Sequence, residues 1–150
     1  MKKIISLMLA LCLMFTAFSV MAESKWTNAS DWAKPELEKA IELGVYPAAL
    51  ENKDLTGNIT RAQVVTTLYN LEGRPAVTDY SAVDELVDVE AGKWYTDAVC
   101  WAYNVGVATG NNRKFDTTGN LARQQLAAFV FRFAGVMGYD TTAREDYSSM

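Results

Sequence analysis

The stretch Ile59-Thr60-Arg61-Ala62-Gln63 decides the predicted fold, because it marks the start of a helix and recurs as Leu121-Ala122-Arg123-Gln124-Gln125. Thr60 can cap the helix through its hydroxyl, and Gln63 can reach back to the Thr60 amide, which is the reciprocal pattern of a capping box. Arg61 falls in the first turn, where the partial positive charge of a helix normally favours Asp or Glu. An arginine beside unpaired backbone N–H groups indicates a site for an anion.

Two copies of one plan are separated by 62 positions along the sequence. This offset aligns Trp32 with Trp94 and Arg61 with Arg123 without a gap. The other aligned pairs are Ala40 with Ala102, Gly44-Val45 with Gly106-Val107, Asp54 with Asp116, Thr56-Gly57-Asn58 with Thr118-Gly119-Asn120, and Gln63 with Gln125. Internal repetition at this scale indicates supersecondary units, each of which buries its apolar face against its neighbour.

Helical periodicity divides the first copy into a helix, a loop over 45–58 and a second helix. The first helix has Ser30 or Asp31 as its N-cap and ends at Gly44, and the second runs from Arg61 to about Glu72. The expected buried stripe of the first helix is Ala33, Leu37, Ala40 and Ile41. That of the second helix is Val64, Val65, Leu68 and Tyr69.

The second copy repeats the pattern, with a first helix that ends at Gly106 and a second helix from Arg123 to about Met137. The stripe of its first helix is Tyr95, Ala98, Val99, Ala102 and Tyr103. Its second helix is apolar on several sides, so we expect neighbours to cover it on several sides and its aromatic side chains to lie in the core. The acidic connection between the copies is interpreted as a solvated surface with a brief extended piece at 86–89.

The N-terminus carries the pattern of a secretory signal peptide. Lys2 and Lys3 precede an apolar run that ends in Val20-Met21-Ala22, and the run is shorter than a comfortable membrane span. We therefore expect cleavage after Ala22 and export of a chain that begins at Glu23. The predicted organisation is a signal peptide over 1–22, a first repeat over 23–75, a second repeat over 76–138 and a polar tail over 139–150.

Charge and cysteine content exclude several classes of function. Removal of Lys2 and Lys3 leaves twelve basic against eighteen acidic residues, so nucleic acid is not an expected partner. After cleavage Cys100 has no second cysteine to pair with inside the chain. It is interpreted as a partly buried small hydrophobe, with an intermolecular disulfide as the alternative.

Catalysis is not expected, because the chain contains no histidine, the usual base for Ser or Cys nucleophiles and a common metal ligand. No metal site or cofactor is predicted. A pair of carboxylates of the glycosidase type stays open, since only their separation in space decides it.

These residues resemble the S-layer homology (SLH) family, in two repeats behind a signal peptide. The first copy matches through Asp31-Trp32-Ala33, Gly44-Val45 and the helix-start stretch at 59–63, which resembles the family's ITRAE box. The second copy matches more fully. Its matching elements are Val87-Asp88-Val89, Trp94-Tyr95, Asp97-Ala98-Val99, Trp101-Ala102, Gly106-Val107 and Phe115.

The resemblance implies a mainly α fold, in which tandem helix–loop–helix repeats form part of a pseudo-threefold helical prism with ligand grooves between neighbours. It also implies a non-catalytic module that anchors an exported protein to the bacterial cell wall. The ligand would be a secondary cell wall polymer or a peptidoglycan-linked glycan, in many members carrying pyruvylated N-acetylmannosamine. The implied ligand-binding residues are Thr60, Arg61, Gln63, Arg123, Gln125, Trp32 and Trp94.

Several alternatives accompany this interpretation. Arg61 and Arg123 could instead bridge neighbouring repeats, and Trp32 and Trp94 could be core residues. The second box has Ala122 in place of Thr60, so Asn120 is the alternative cap. The chain shows no third repeat, which would leave two apolar faces open. A truncated chain or self-association with another SLH chain would each account for that. A purely structural role in a surface layer is the alternative function.

Overall fold

The structure is a computed structural model that describes residues 28–50 and 53–142. The predicted signal peptide and most of the predicted polar tail lie outside the described residues. Within these ranges the fold is mainly α, with two isolated β-bridges and no extended strand. No helix in the described part of the chain is long and apolar enough to cross a membrane.

The chain up to residue 75, which we call the first unit, has two α-helices within its described residues 28–50 and 53–75. A 3-10 turn over Asp31–Ala33 leads into α1, Lys34–Glu42, and a second 3-10 turn covers Ala48–Leu50. Helix α2 spans Arg61–Leu71, as the periodicity predicted. Gly44, which follows the end of α1, has a φ of +69°, the left-handed conformation that is typical of a glycine after a helix end.

The second unit, residues 76–138, contains three helices. Helix α3, Ser81–Glu85, was not expected from the sequence. It precedes α4, Thr96–Asn104, which is followed by a short hairpin closed by the bridge between Asn111 and Lys114. Helix α5, Arg123–Val136, matches the prediction to within a residue.

Equivalent hydrogen bonds recur in the two units at the same 62-residue offset. The Asn70 side chain donates to the carbonyl oxygen of Val45 at 3.0 Å, and the Arg132 side chain donates to that of Val107 at 3.4 Å. The Tyr46 amide likewise donates to Ala40, as the equivalent amide of the second unit does to Ala102. The repeated residues therefore make repeated contacts.

The core lies where α2 packs against α4 and α3 packs against α4. It includes Cys100, which is fully buried where only partial burial was expected, and burial raises the pKa of its thiol. The buried apolar residues are Ala62, Val64, Val65, Leu68, Ala82, Leu86, Val89, Tyr95, Ala98, Val99, Cys100, Trp101, Ala102, Val107, Ala108, Phe115 and Phe129.

Two expectations about burial are wrong. Helix α1 has no buried residue, and its predicted stripe is only partly covered. On α5 only Phe129 is buried, whereas Phe131 is 60% exposed, because no described element covers that side of the helix. The core is therefore concentrated in α2 and the second unit.

The acidic connection is also more structured than predicted. Ala82, Leu86 and Val89 from this segment are buried in the core. The Asp88 carboxylate accepts hydrogen bonds from the amides of Phe115, Asp116 and Thr117, at 2.7, 2.6 and 3.1 Å. The segment is thus a structural bridge between α3 and the loop before α5, while its other acidic residues, Asp79, Asp84, Glu85 and Glu90, are exposed as predicted.

Candidate functional site

Arg61 projects from the start of α2 into the second unit. Its Nε donates to the carbonyl oxygen of Phe115 at 2.6 Å, and its Nη2 donates to that of Thr109 at 3.0 Å. The centre of the guanidinium lies 5.0 Å from the ring centroids of both Phe115 and Phe129, within the range of cation–π attraction. With 8% of its surface exposed, Arg61 links the two units.

The first backbone amides of α2 are occupied as well. The Arg61 amide donates to the carbonyl oxygen of Gly119 at 3.1 Å, and the Ala62 amide donates to that of Thr117 at 3.4 Å. The Leu121 amide returns a bond to the carbonyl oxygen of Ile59 at 3.0 Å. Protein carbonyl groups therefore fill the place where the sequence indicated an anion.

The electrostatic setting of Arg61 fits this structural contact. Burial lowers the pKa of its guanidinium, because the charged form loses hydration. The nearby carboxylates of Asp116 and Asp88 act in the opposite direction and favour the charge. Arginine stays protonated under such conditions, so the contact combines a charge with two fixed acceptors.

The capping box around Arg61 is formed as predicted. The Thr60 hydroxyl accepts from the Gln63 amide at 3.3 Å, and Gln63 Oε1 accepts from the Thr60 amide at 2.7 Å. These bonds fix the first turn of α2 and hold the arginine at the angle that its contacts need. Thr60 and Gln63 therefore position Arg61.

The equivalent residues of the second unit are differently placed. Gln125 Oε1 accepts from the Ala122 amide at 2.9 Å, but no side chain caps α5, so the proposed cap by Asn120 is absent. Arg123 is exposed. Within residues 28–50 and 53–142, its guanidinium and the amides of Arg123 and Gln124 have no hydrogen-bond partner.

Both predicted tryptophans are accessible, which contradicts the alternative that they are core residues. Trp32 is 78% exposed and Trp94 is 45% exposed. Trp94 packs edge-on against Tyr95, with ring centroids 5.5 Å apart, and this contact leaves part of its face open. The two tryptophans line different depressions and do not form one site.

Trp94 lines a groove between the two units, which we call the Arg74 groove. Its volume is about 280 Å³. Its polar side chains are Thr66, Asn70 and Arg74 from α2 and the residues that follow it, with Asp97 from α4. Tyr69 and Trp94 supply its aromatic surface, and Pro47, Ala48, Ala49 and Ala98 line the rest of the groove.

The guanidinium of Arg74 is held in a fixed position. Nε donates to Asn70 Oδ1 at 3.0 Å, and Nη2 donates to the carbonyl oxygen of Gly44 at 3.1 Å. Asp97 is fixed too, because its Oδ1 accepts from the Tyr80 hydroxyl at 2.9 Å. The groove therefore combines the guanidinium of Arg74 and the carboxylate of Asp97, both held in fixed positions, with the indole face of Trp94.

Arg74 also has a strained backbone, with a φ of +58°. Glycine would adopt this conformation without strain, so the arginine is retained at a cost of roughly 1–3 kcal/mol. Arg74 is not among the site residues predicted from the sequence, because Gly73 and Pro75 on either side of it are ordinary signals of a helix end. A positively charged residue between a glycine and a proline was the signal that the sequence offered.

Trp32 lines a second depression, the first-unit hollow, of about 470 Å³. It lies among α1, the loop and α2, with Leu37, Tyr46, Lys53 and Thr67 among its lining residues. The 62-residue offset places Lys53 and Thr67 where the second unit has Phe115 and Phe129. Helix α1 is poorly covered because, among the described residues, no other α-helix packs on it as α2 and α3 pack on α4.

Metal-ion chemistry has no support in the part of the chain that the structure describes, since it holds no cluster of three or more candidate ligands. Of the acidic residues in the connection, Asp88 accepts from three backbone amides, Glu85 accepts from the Tyr103 hydroxyl and Glu90 pairs with Lys93. The Arg74 groove and the exposed Arg123 are two of the chain's accessible polar features.

Comparison with known proteins gives one informative similarity. The chain is 22% identical over 103 residues to an amylopullulanase from Thermoanaerobacterium thermosulfurigenes. The aligned region is 68% of this chain but only 5% of that enzyme, so its activity does not transfer. No protein-family model matches the chain, and no solved structure matches it. The chain is thus similar to a small segment of a much longer enzyme.

Proposed function

We propose that the chain is a non-catalytic module that anchors an exported protein to the bacterial surface by binding an acidic polymer of the cell wall. The polymer would be a secondary cell wall polymer whose sugars carry a pyruvate ketal, as the SLH resemblance implies. The observation that carries the proposal is the convergence of Arg74, Trp94 and Asp97 in one groove between the units.

The chemistry of the groove fits such a sugar. A guanidinium can bind a ketal carboxylate through two parallel N–H bonds, and Arg74 is already fixed by Asn70 and Gly44. The apolar face of a sugar ring suits the exposed part of the Trp94 indole. Asp97 and Asn70 can accept from and donate to sugar hydroxyls. Ligand recognition thereby moves from Arg61, which is buried, to Arg74.

Export and surface location belong to the same proposal. The signal-peptide pattern over 1–22 supports secretion. Binding of the groove to the polymer would retain the exported chain at the cell surface. A purely structural role in a surface layer is the second candidate. The exposed apolar side of α5 favours it, since such a surface is suited to assembly.

Replacing Arg74 by glycine tests polymer binding without disturbing the fold. Arg74→Gly removes the cation and relieves the positive φ, so we expect unchanged circular dichroism and a melting temperature no lower than wild type. Loss of a charged contact of about 1.5–3 kcal/mol weakens binding roughly ten- to a hundredfold. The measurement is co-sedimentation with purified cell walls, before and after mild acid removal of the ketal.

Arg113→Gly is the matched control. Arg113 is also an exposed arginine at positive φ, but it lines a different depression beside Glu85 and Gly110. This variant should bind walls like wild type. If Arg74→Gly also binds like wild type, the groove is not the binding site. If no variant binds walls at all, the structural role becomes the better account.

A further inference from the structure

We propose that the ring of Tyr80 forms a second sugar subsite beside the Arg74 groove and stacks on the uncharged sugar that follows the ketal-bearing one in the polymer. This inference rests on the proposed function, because it extends the same site along the polymer chain. It also gives the segment before α3, which the sequence did not predict to be ordered, a part in recognition.

The size of the Arg74 groove makes a second subsite necessary for holding more than one sugar. Its volume of about 280 Å³ lies below the roughly 300–1,000 Å³ that is typical of sites enclosing a whole ligand. A polymer that binds there through its ketal-bearing sugar must therefore continue out of the groove and across the protein surface. The residues at the edge of the groove decide whether the next sugar is held or stays in solvent.

Tyr80 lies at the edge of the groove that Asp97 forms. Its hydroxyl donates to Asp97 Oδ1 at 2.9 Å, and Asp97 lines the groove, whereas Tyr80 itself is outside the lining. Tyr80 is 44% exposed. A sugar that leaves the groove past Asp97 therefore meets an accessible aromatic ring, which suits the apolar face of a pyranose.

The surroundings of Tyr80 show that its ring is not needed for the core. The neighbouring residues Val77, Val83 and Tyr103 pack against the buried core, but Tyr80 is not among the residues that do so. Tyr103 also donates its hydroxyl to a carboxylate, that of Glu85, yet its ring is partly buried. The hydroxyl of Tyr80 is thus fixed while its ring stays available to a ligand.

Backbone contacts hold the segment around Tyr80 in place. The Asp79 carboxylate accepts from the Ser81 amide at 2.8 Å, and the Tyr80 carbonyl oxygen accepts from the Val83 amide at 2.9 Å. The side chain of Asn104, the last residue of α4, donates to the Asp79 carbonyl oxygen at 2.8 Å. A ring that is already positioned in this way loses little freedom when a sugar stacks on it.

Two synthetic sugars test the subsite by calorimetric titration of the exported chain. One is the methyl glycoside of pyruvylated N-acetylmannosamine, and the other is the disaccharide in which N-acetylglucosamine replaces the methyl group. We expect wild type to bind the disaccharide roughly two- to tenfold more tightly than the monosaccharide. Tyr80→Ala should abolish this gain. Tyr80→Phe should keep it, because it loses the same hydrogen bond to Asp97 but retains the ring.

The ratio of the two affinities is the decisive quantity, since any effect of losing the bond to Asp97 acts on both sugars. Tyr139→Ala is the matched control, because Tyr139 is an exposed tyrosine outside the lining of the groove, and it should keep the gain. Proton NMR gives a second measurement that needs no substitution. In the wild-type complex, the ring protons of the N-acetylglucosamine should shift upfield, as expected over an aromatic ring.

The outcomes separate this inference from the proposed function. A wild type that binds both sugars equally without an upfield shift, or a gain that survives Tyr80→Ala, would overturn the subsite and leave the Arg74 groove as the binding site. A gain that Tyr80→Phe also abolishes would assign it to the hydroxyl and overturn the stacking role. Failure of wild type to bind either sugar would overturn the proposed function itself, and the subsite with it.

Discussion

Two arginines at equivalent positions have different surroundings, and these decide what each one can do. Arg61 is enclosed by two carbonyl oxygens and two aromatic rings, whereas Arg123 is exposed. A buried guanidinium can make no strong contact with an external polymer unless it gives up protein acceptors first. At the residue scale, Arg61 therefore contributes to stability and Arg74 is the better candidate for recognition.

Replacing Arg61 should destabilise the fold. Arg61→Ala leaves two carbonyl oxygens without their donor and a space between two rings, so we expect a loss of about 2–4 kcal/mol in the free energy of unfolding. Arg61→Lys should recover only part, because an ammonium cannot reproduce the two-pronged geometry. Urea unfolding at neutral pH measures both variants.

Arg123→Ala is the control for this prediction, because it removes the same residue type from the same helix position. Its cost should stay within about 0.5 kcal/mol, as for other exposed substitutions. Equal costs for the two alanine variants would show that the contacts of Arg61 contribute no net stability.

The sequence predicts the contacts between residues that are close along the chain, but not the contacts between residues that are far apart along it. The capping box around Thr60 uses residues three apart, so a local pattern reveals it. The acceptors of Arg61 lie 48 and 54 positions away, and no local pattern reports them. For the same reason, the accessibility of Trp94 and its place opposite Arg74 emerged only with the packing of α2 on α4.

The helices, too, were predicted well where local sequence signals define them and missed where such signals are absent. Helices α2 and α5 were predicted closely, because their periodicity extends over several turns and clear signals mark their ends. Helix α3 has five residues, which is too short for periodicity to identify it. The acidic segment after α3 was predicted to be solvated, because its sequence gives no sign that Asp88 binds the backbone amides of the loop at 115–117.

This connection makes stability depend on pH. Burial raises the pKa of Asp88, but hydrogen bonds from the amides of Phe115, Thr117 and Asp116 together outweigh it, and the net pKa is lowered. Asp88 therefore stabilises the fold at pH values above the unfolded pKa of about 3.9, and this contribution is lost as pH falls through the lower folded value. Wild-type stability should accordingly decline in acid.

Asp88→Asn tests this element-scale contact. It should lower the free energy of unfolding at pH 7 by about 1–2 kcal/mol, allowing for solvent screening of a half-buried carboxylate, and should flatten the decline below about pH 4. Asp84→Asn, on the exposed side of α3, is the control and should leave the pH profile unchanged. Identical profiles for wild type and Asp88→Asn would contradict the assigned role.

The whole molecule is asymmetric despite its repeated sequence. The second unit and α2 contain the buried core, whereas α1 has no buried residue and borders the first-unit hollow. Helices α2 and α3 both pack on α4, whereas no described α-helix packs on α1 in the same way. The first unit also has Lys53 and Thr67 where the second has the buried rings of Phe115 and Phe129. Stability should therefore be unevenly distributed.

Hydrogen exchange at two equivalent amides measures this asymmetry. Ala40 in α1 and Ala102 in α4 are 62 positions apart and occupy the same place in their helices, but only Ala102 is buried. We expect the Ala40 amide to exchange at least ~tenfold faster, after correction for intrinsic rates, because α1 can open without exposing the core. Thr67→Phe, which adds one of the missing rings, should slow exchange at Ala40 and leave Ala102 unchanged. Equal protection of the two amides in wild type would mean that the units open together and that the hollow does not weaken α1.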